Sequence, residues 1–465
     1  MSLPPPIKKK LGRIFEPKSI SFSKEDLLCY SYDATGESHL PDVVVFPTTA
    51  EEISLTLKLA NESGFPVIPR GGGSGFTGGT LPVSGGVVIS TQRMTSISID
   101  QENLVADVGS GLLTGDLQDE VEELGLFYPP DPTSVKFSTI GGNIAENAGG
   151  PRAVKYGTTR DYVLGLEVVL PNGDIVRTGV KTAKGVVGYD LTRLLVGSEG
   201  TLGIITKAFL RLIPKPKEKA LMYAVFGDLA SAADVVSTII REKITPSTLE
   251  FIDGASIRCA EEYVSTGIKS GAEAVLLIET DGTLKSVEDS TALIKKICQE
   301  NKVLEFRVAK DKKEIKDLWK LRKNLSPALY KIKPTKINED IVVPRSMLTS
   351  LVTGVQEIAE ARGVLIVSFG HAGDGNIHVN VMIDKDDPDE AKRGAEAVSD
   401  VFDLTLSLGG TISGEHGVGV TKAPYLSREL SSSLLSVMRG IKDVLDPKGI
   451  LNPGKIFLSP SNKEN

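Results

Sequence analysis

The sequence predicts an α+β protein of at least two domains, and three observations predict it. The first half alternates short β-rich runs with amphipathic helical patterns. From Ala220 the runs lengthen and are separated by long helices, a strand–helix–helix–strand texture that suggests an antiparallel sheet with helices on one face. Three glycine-rich stretches, all in the first half, interrupt the elements where a ligand loop would. At 465 residues the chain can bury large cores, and that length favours two or three domains over one. No internal repeat breaks this reading.

The elements follow in order. "DVVVFP" reads as a strand and "TAEEISLTLKLANESG" as an amphipathic helix, with Thr49 placed to cap it, Glu52 three residues on and Gly64 to end it. "FPVIP" is the next strand and runs into the first glycine loop. "GGVVIST", "MTSISID" and "LVADVGSG" are short β-branched strands, and "LTGDLQDEVEELG" is a helix. "LGLEVVLPNGDIVRTG" is a hairpin turning at Asn-Gly. "IPKPKEK" reads as a linker. Beyond it, "LMYAVFGD" and "AVLLIETDG" are strands, with "LASAADVVSTIIREK" and "TLKSVEDSTALIKKICQEN" as helices. A last helix, "LSSSLLSVMRGIKDVLDP", precedes the tail "GILNPGKIF". The expected domains are residues 1–215, 216–425 and a C-terminal helix and tail, 426–465, returning to the first.

Composition excludes several classes. A net charge of −7 argues against nonspecific nucleic-acid binding, and the one basic run, "IKKK", reads as a solvated tail. Cys29, Cys259 and Cys298 are isolated, so no iron–sulfur cluster or zinc ribbon is encoded, and a reducing cytoplasm is expected. The N-terminus has no apolar leader core and no 18-residue apolar run follows, so no membrane span is expected.

"PRGGGSGFTGGT" contains Gly73-x-Gly75-x-x-Gly78, the spacing of a dinucleotide fingerprint. That fingerprint needs a helix immediately after it, whose N-terminus holds the pyrophosphate. Here "GTLPVSGGVVIS" follows, with Pro82 and then a strand, so the Rossmann reading fails. Six glycines in nine positions instead make a backbone nest for an anion, a reading set against a purely structural turn. "STIGGNIAENAGGPRAVKYGTTRDYV" and "VGSEGTLGIIT" are two further stretches where backbone can approach a flat polar ligand. Together they point to a large dinucleotide.

With the closing "LNPGKIF", these motifs resemble the FAD-linked oxidases of the vanillyl-alcohol-oxidase (PCMH-type) fold. The resemblance covers roughly residues 42–457 and is closest to the branch that holds glycolate oxidase, D-lactate dehydrogenase and D-2-hydroxyglutarate dehydrogenase. It implies a PCMH-type FAD-binding domain of two α/β subdomains and a cap domain with a large antiparallel sheet covered by helices. It also implies that the first loop (Pro69, Arg70, Gly71, Gly72, Gly73, Ser74, Gly75, Thr77, Gly78) wraps the FAD pyrophosphate. The rest of the cofactor falls to Pro132, Thr139, Gly141, Gly142, Asn143, Asn147, Gly149, Gly150, Tyr156 and Gly157, with Glu199, Gly200, Gly203, Ile205 and Asn452. Relatives that tether the flavin use a histidine in or near the first loop. Ser74 stands at that position and His39 is the one histidine in the first 370 residues, so the FAD is expected to be noncovalent.

Three of the four histidines lie in two glycine-rich motifs. "FGHAGDGNIHVNVMI" sets His371 and His378 on either side of an Asp-Gly turn, so two imidazoles can meet across a hairpin, with Asn380 on the same face as His378. "SGEHGVG" adds Glu415 and His416. Two histidines and a carboxylate suit a divalent ion with positions open to substrate, and Zn, Mn and Fe all accept the set. The resemblance assigns His371, His378 and Glu415 as metal ligands; Asp374 reads as a turn residue.

The expected reaction is oxidation of a D-2-hydroxy acid, such as D-lactate or glycolate, to the 2-oxo acid by hydride transfer to flavin N5; the D configuration comes from the resemblance alone. His416 is the expected base and Asn380 a hydrogen-bonding partner of the substrate. Arg322 and Ser326, four apart on one helix face, and Lys336 sit where the family grips a carboxylate, with serine in place of the more usual threonine. Without cluster cysteines, electrons must pass to a separate iron–sulfur subunit, an electron-transferring flavoprotein or a quinone, which would also bring a cytoplasmic protein to a membrane. A homodimer is compatible with the sequence. The competing readings are a non-redox FAD transferase of the alkylglycerone-phosphate synthase type and an FAD-holding electron-transfer subunit.

Overall fold

The computed structural model describes residues 3–261 and 271–457. Two compact units emerge: Met1–Ala148, Thr158–Lys215 and Glu415–Asn465 form the first, and Gly149–Gly157 with Pro216–Gly414 the second. The sequence placed the return to the first unit after residue 425. It comes at Glu415 because the backbone there bonds within the first unit: Val418 and Gly419 donate to Glu199 at 2.7 and 2.6 Å, and Val420 donates to the Thr77 carbonyl at 2.7 Å. Gly149–Gly157 leaves for the second unit because Lys155 pairs with Asp281 and the Tyr156 hydroxyl donates to the same carboxylate at 2.7 Å. Residues 458–465 of the expected tail lie outside the described residues.

In the first unit, Val43–Val45 pairs in parallel with Val87–Ser90, which pairs in parallel with Val67–Arg70, and Ile20–Ser21 adds an antiparallel edge. Both faces are buried. Val43, Val45, Val67, Val87 and Ile89 pack with Ile53, Leu57 and Ala60, while Val44, Ile68 and Val88 pack with Phe46. Each such aliphatic side chain contributes roughly 1.5–3 kcal/mol. The helix supplying Ile53 and Leu57, Ala50–Ser63, carries the expected capping box between Thr49 and Glu52 and closes on Gly64 at φ 72°. The basic N-terminus is not a tail. Pro5–Ile14 is a helix, and Leu11 joins that core together with Leu3 and Phe15.

A second, five-stranded antiparallel sheet completes the first unit, in the order Ile97–Asp100, Val105–Gly109, Ile204–Arg211, Val163–Val169, Ile175–Gly179. Its last two strands are the expected Asn-Gly hairpin, with Gly173 at φ 88° in the turn.

The second unit is built on a seven-stranded antiparallel sheet. Its order is Glu305–Val308, Glu218–Phe226, Ala274–Gly282, Thr248–Asp253, Leu365–His371, Asn376–Ile383, Thr335–Val342. Helices cover both faces, not one. Leu221, Tyr223 and Val225 pack with Leu318, Leu321 and Leu325 of helix Lys312–Ala328. Helices Leu229–Arg241 and Leu284–Glu300 pack on the same strand, yet none of their buried residues joins that cluster. The reason is in the runs themselves: "LMYAVF" and "AVLLI" are continuously apolar, the mark of strands buried on both sides. Among the described residues no helix is long and apolar enough to cross a membrane.

Candidate active site

In the first unit three loops pack closely where glycines leave no Cβ between them and their neighbours. Strand Val67–Arg70 ends at the glycine run, where Gly73 takes φ 65°. A Cβ at Gly71 would lie 2.3 Å from Thr139 Oγ1, one at Gly72 2.2 Å from the Phe137 carbonyl oxygen, and one at Gly73 2.2 Å from the Arg70 guanidinium. The first loop is therefore pressed onto residues 137–142 and onto Arg70, whose buried side chain donates to Thr80 Oγ1 at 3.2 Å. Thr139 caps the short helix Ile140–Glu146 by accepting from Gly142 N, and a Cβ at Gly141 would meet Ser110 at 2.7 Å. At Gly75, by contrast, nothing lies within 4 Å of a Cβ. Close packing of bare backbone thus accounts for the glycines at 71–73, while Gly75 faces open space.

The third motif and the C-terminal segment tie into the same loop. Glu199 and Gly200 are consecutive left-handed residues, at φ 51° and 66°, and a Cβ on Gly200 would meet Pro69 at 2.4 Å. The Asn452 amide donates to the carbonyls of Gly79 and Glu199 at 2.9 and 2.7 Å, joining the two motifs. Gly203 lies where a Cβ would press on Val168, and Ile205 pairs with Val168 in the sheet. Asn143 donates to Thr114 Oγ1 at 2.7 Å, and Asn147 accepts from Arg160 N at 2.9 Å, so both side chains brace the loops. Pro132 accepts from Val135 N in a turn. Of the residues assigned to the flavin, Gly149, Gly150, Tyr156 and Gly157 fall in the second unit, with Gly150 and Gly157 at φ 137° and 80°.

His416 enters this unit directly after Glu415. Its ring stacks on Phe76 of the glycine loop, centroids 5.2 Å apart, and its carbonyl accepts from Thr77 Oγ1 at 3.1 Å. A Cβ on the next residue, Gly417, would meet the carboxyls of Glu146 and Glu199 at 2.4 and 2.9 Å. Burial, then the neighbouring Glu199, push the Glu146 carboxyl well above its ordinary range. Burial likewise raises Glu199, against the pull of the Val418 and Gly419 N–H groups. Lys455 donates to the Leu81 carbonyl at 2.7 Å, and burial lowers its ammonium to about 8.

The second unit gathers its polar residues on one face of the sheet, set by strand alternation and register. Glu250 stands beside His371, because Phe251 pairs with Gly370 and Ile252 with Phe369. Phe369 pairs with His378, Val367 with Asn380, Asp340 with His378 and Asn338 with Asn380. Period 2 then puts Lys336, Asn338 and Asp340 on the face of His371 and His378. The two imidazoles meet as expected, edge to face with centroids 5.1 Å apart. Asp374 sits in the intervening turn.

Each group on this face is held by another. His371 Nδ1 shares a 2.6 Å hydrogen bond with Glu250 Oε1, and Arg322 Nε donates to Glu250 Oε2 at 2.5 Å. All three are buried. Burial works to raise the Glu250 carboxyl, but His371 and Arg322 outweigh it and hold it below its ordinary range. The Arg322 guanidinium lies over the Phe369 ring, 4.8 Å from its centroid. Asp340 accepts from the Asn376 amide at 2.6 Å and from Gly414 N at 2.9 Å. Asp340 and His378 offer ligand atoms within 4.8 Å of one another. Lys336 Nζ donates to Ser326 Oγ at 2.6 Å, and burial lowers its ammonium to about 8. The Asn380 amide donates to the Val367 and His378 carbonyls at 3.0 and 3.2 Å and accepts from Asn338 at 2.6 Å.

Glu250 on His371 Nδ1 is the kind of carboxylate contact that orients a histidine ring. Asp340 beside His378 sets a carboxylate oxygen next to an imidazole, a pairing of ligand types that a divalent ion accepts. Of the residues the sequence named, the structure sets His371 against His378, links Arg322 to His371 through Glu250, and joins Lys336 to Ser326. It adds Glu250, Asp340 and Asn338, which sequence reasoning missed. The signal was present as a glutamate inside the apolar run of "STLEFIDG" and as charged or amide residues at alternate positions in "KINEDIVV".

Residues 41–179 match the family described as FAD binding domain, and residues 215–456 match FAD linked oxidases, C-terminal domain. The glycolate oxidase subunit GlcD of Bacillus subtilis (strain 168) is 46% identical over 459 residues, covering 98% of this chain and 98% of the relative. A D-lactate dehydrogenase of Anaerostipes hadrus is 38% identical over 425 residues, covering 90% and 89%. Among solved structures, p-cresol methylhydroxylase with substrate bound superposes with a TM-score of 0.80 at 18% identity, covering 98% of this chain and 97% of that one, a likeness of fold.

Proposed function

We propose, from the premise that this chain belongs to the FAD-linked oxidases and is an FAD-dependent oxidoreductase, that it is a metal-dependent dehydrogenase of a D-2-hydroxy acid such as D-lactate or glycolate. One observation carries the finer reading. A pair of cationic side chains, Arg322 and Lys336, shares a sheet face with an imidazole pair and a buried carboxylate. An anionic substrate with a hydroxyl beside its carboxylate matches that combination.

When bound, the divalent ion would supply Lewis acidity toward the substrate hydroxyl and the flavin would supply a hydride acceptor. His371, oriented by Glu250, and His378 would hold the ion, with Glu415, which follows the Asp340-anchored Gly414 in the chain, as the third ligand. Lys336 and the terminal nitrogens of Arg322 grip the substrate carboxylate, with Ser326 orienting Lys336. Asn380 reaches substrate through its remaining carbonyl lone pair. His416, its ring held against Phe76, takes the hydroxyl proton. In the first unit the glycine loop, Arg70 and the Asn452 clamp hold the FAD. The flavin is noncovalent, since Ser74 is in the loop and His39 is exposed. Electrons leave to an iron–sulfur subunit, an electron-transferring flavoprotein or a quinone, in a cytoplasm whose reducing character agrees with three cysteines that no disulfide joins.

The test is the anaerobic visible spectrum of FAD-loaded, metal-replete protein titrated with D-lactate, L-lactate, glycolate and D-2-hydroxyglutarate. Bleaching by glycolate or one D-acid, abolished by a chelator while flavin stays bound, is the expected result. An oxidised band that none of the acids bleaches sinks the reading for these substrates and favours the non-redox transferase.

A further inference from the structure

Glu250 is the one acidic side chain in the described structure seen to touch both a proposed metal ligand and a proposed substrate-gripping cation: Oε1 is 2.6 Å from His371 Nδ1, and Oε2 is 2.5 Å from Arg322 Nε. It is fully buried, on a strand whose neighbours Leu249 and Phe251 are also buried. A carboxylate in such a place is tolerated when both oxygens are paired, and removing one partner exposes the full cost of burying the rest. Apolar packing alone would be served better by a leucine.

Resting on the reading above, we infer that Glu250 is the positioning residue that sets the register between the metal and the carboxylate grip, and so selects acids with the hydroxyl on C2. The physical case has two arms. Toward His371, accepting the Nδ1 proton fixes the tautomer and presents Nε2 as the ligand atom. Toward Arg322, binding Nε fixes the plane of the guanidinium, which is also stacked over Phe369, so the two terminal nitrogens keep one place. A 2-hydroxy acid carries its hydroxyl and carboxylate on adjacent carbons, at a nearly constant oxygen-to-oxygen spacing. One rigid carboxylate bonded to both grips imposes that spacing on the site. Glutamine in its place can still accept from His371, but its amide cannot accept from Arg322 Nε.

The experiment compares FAD-loaded wild-type, Glu250→Gln and Glu250→Asp proteins. Zn²⁺ affinity is read by calorimetry after chelator treatment, and kcat and KM are read for D-lactate and for D-3-hydroxybutyrate. We expect Glu250→Gln to keep flavin and bind Zn²⁺ with a modest loss, while KM for D-lactate rises roughly 10-fold or more and kcat falls less. Glu250→Asp, too short to reach both partners, loses roughly 10–100-fold in Zn²⁺ affinity. In both variants the preference for the 2-hydroxy over the 3-hydroxy acid narrows. Unchanged Zn²⁺ affinity in Glu250→Asp together with an unchanged preference overturns the inference. If Glu250→Gln does not fold, Glu250→Asp and Arg322→Lys decide it by the same preference ratio. Calorimetry needs no turnover, so a wild type that no acid reduces while Glu250→Asp still loses Zn²⁺ indicts the substrate reading. The converse result, an active wild type with Zn²⁺ binding indifferent to Glu250, indicts the positioning role.

Discussion

At Gly71, Gly72 and Gly73 of the first unit, backbone touches backbone, a neighbouring hydroxyl or a guanidinium because no Cβ stands between. On the sheet face of the second unit the reverse holds, since side chains do the reaching: Glu250 bonds Arg322 and His371, and Lys336 bonds Ser326, from three strands and a helix. The cradle is thus sensitive to added atoms and the face to removed ones. An extra methyl in the first costs a ligand its seat; a lost nitrogen or oxygen in the second leaves a buried partner unpaired.

The sharpest way to break this contrast is Gly72→Ala beside Gly75→Ala. The first places a Cβ 2.2 Å from the Phe137 carbonyl oxygen, the second meets nothing within 4 Å. Gly72→Ala is expected to purify without flavin and to lose about 1–3 kcal/mol, whereas Gly75→Ala stays within about 0.5 kcal/mol of the parent. The flavin absorbance ratio and a thermal melt decide it, and equal behaviour of the two variants would refute the backbone reading. Next comes His371→Ala, expected to keep its flavin while kcat/KM falls by about 100-fold or more, measured with an artificial electron acceptor.

Lys336 gives a smaller effect with a sign. Burial lowers its ammonium to about 8, so it is a cation below that pH and neutral above it. An anionic substrate needs the cation, so KM is flat below pH 8 and rises about tenfold per pH unit above it. Lys336→Arg, which stays charged, removes the rise; a profile unchanged by that substitution would assign the titration elsewhere. The smallest effect is expected at Thr49→Ala, which opens the capping box of the helix Ala50–Ser63. It should cost about 1 kcal/mol by thermal melt and leave flavin content and KM alone.

The cradle was legible in the sequence because its information is local: glycines cluster within each loop, and a missing helix after Gly78 is visible in Pro82 and the strand that follows. The hairpin carrying His371 and His378 was legible for the same reason. Glu250 was not, because its partners come from helix Lys312–Ala328 and strand Leu365–His371, which only sheet order brings beside it. Asp340 needed the pairing of Thr335–Val342 with Asn376–Ile383. Composition misled in one place. "PPIKKKLGRIF" looks like a solvated tail until Leu11 and Phe15, spaced four apart, are seen to reach the core.

That core also contains Ile450 and Leu451, and Val67 bonds them on both sides: Val67 N donates to the Ile450 carbonyl at 2.8 Å and Asn452 N to the Val67 carbonyl at 2.8 Å. During synthesis, then, the opening strands wait for residues made almost last. The second unit, by contrast, is nearly all one continuous stretch and has its residues in hand before those closing ones are made. A chain cut before Ile450 is therefore expected to lose the pairing of Val67 with Ile450 and Asn452 while keeping the residues that build the sheet face of the second unit.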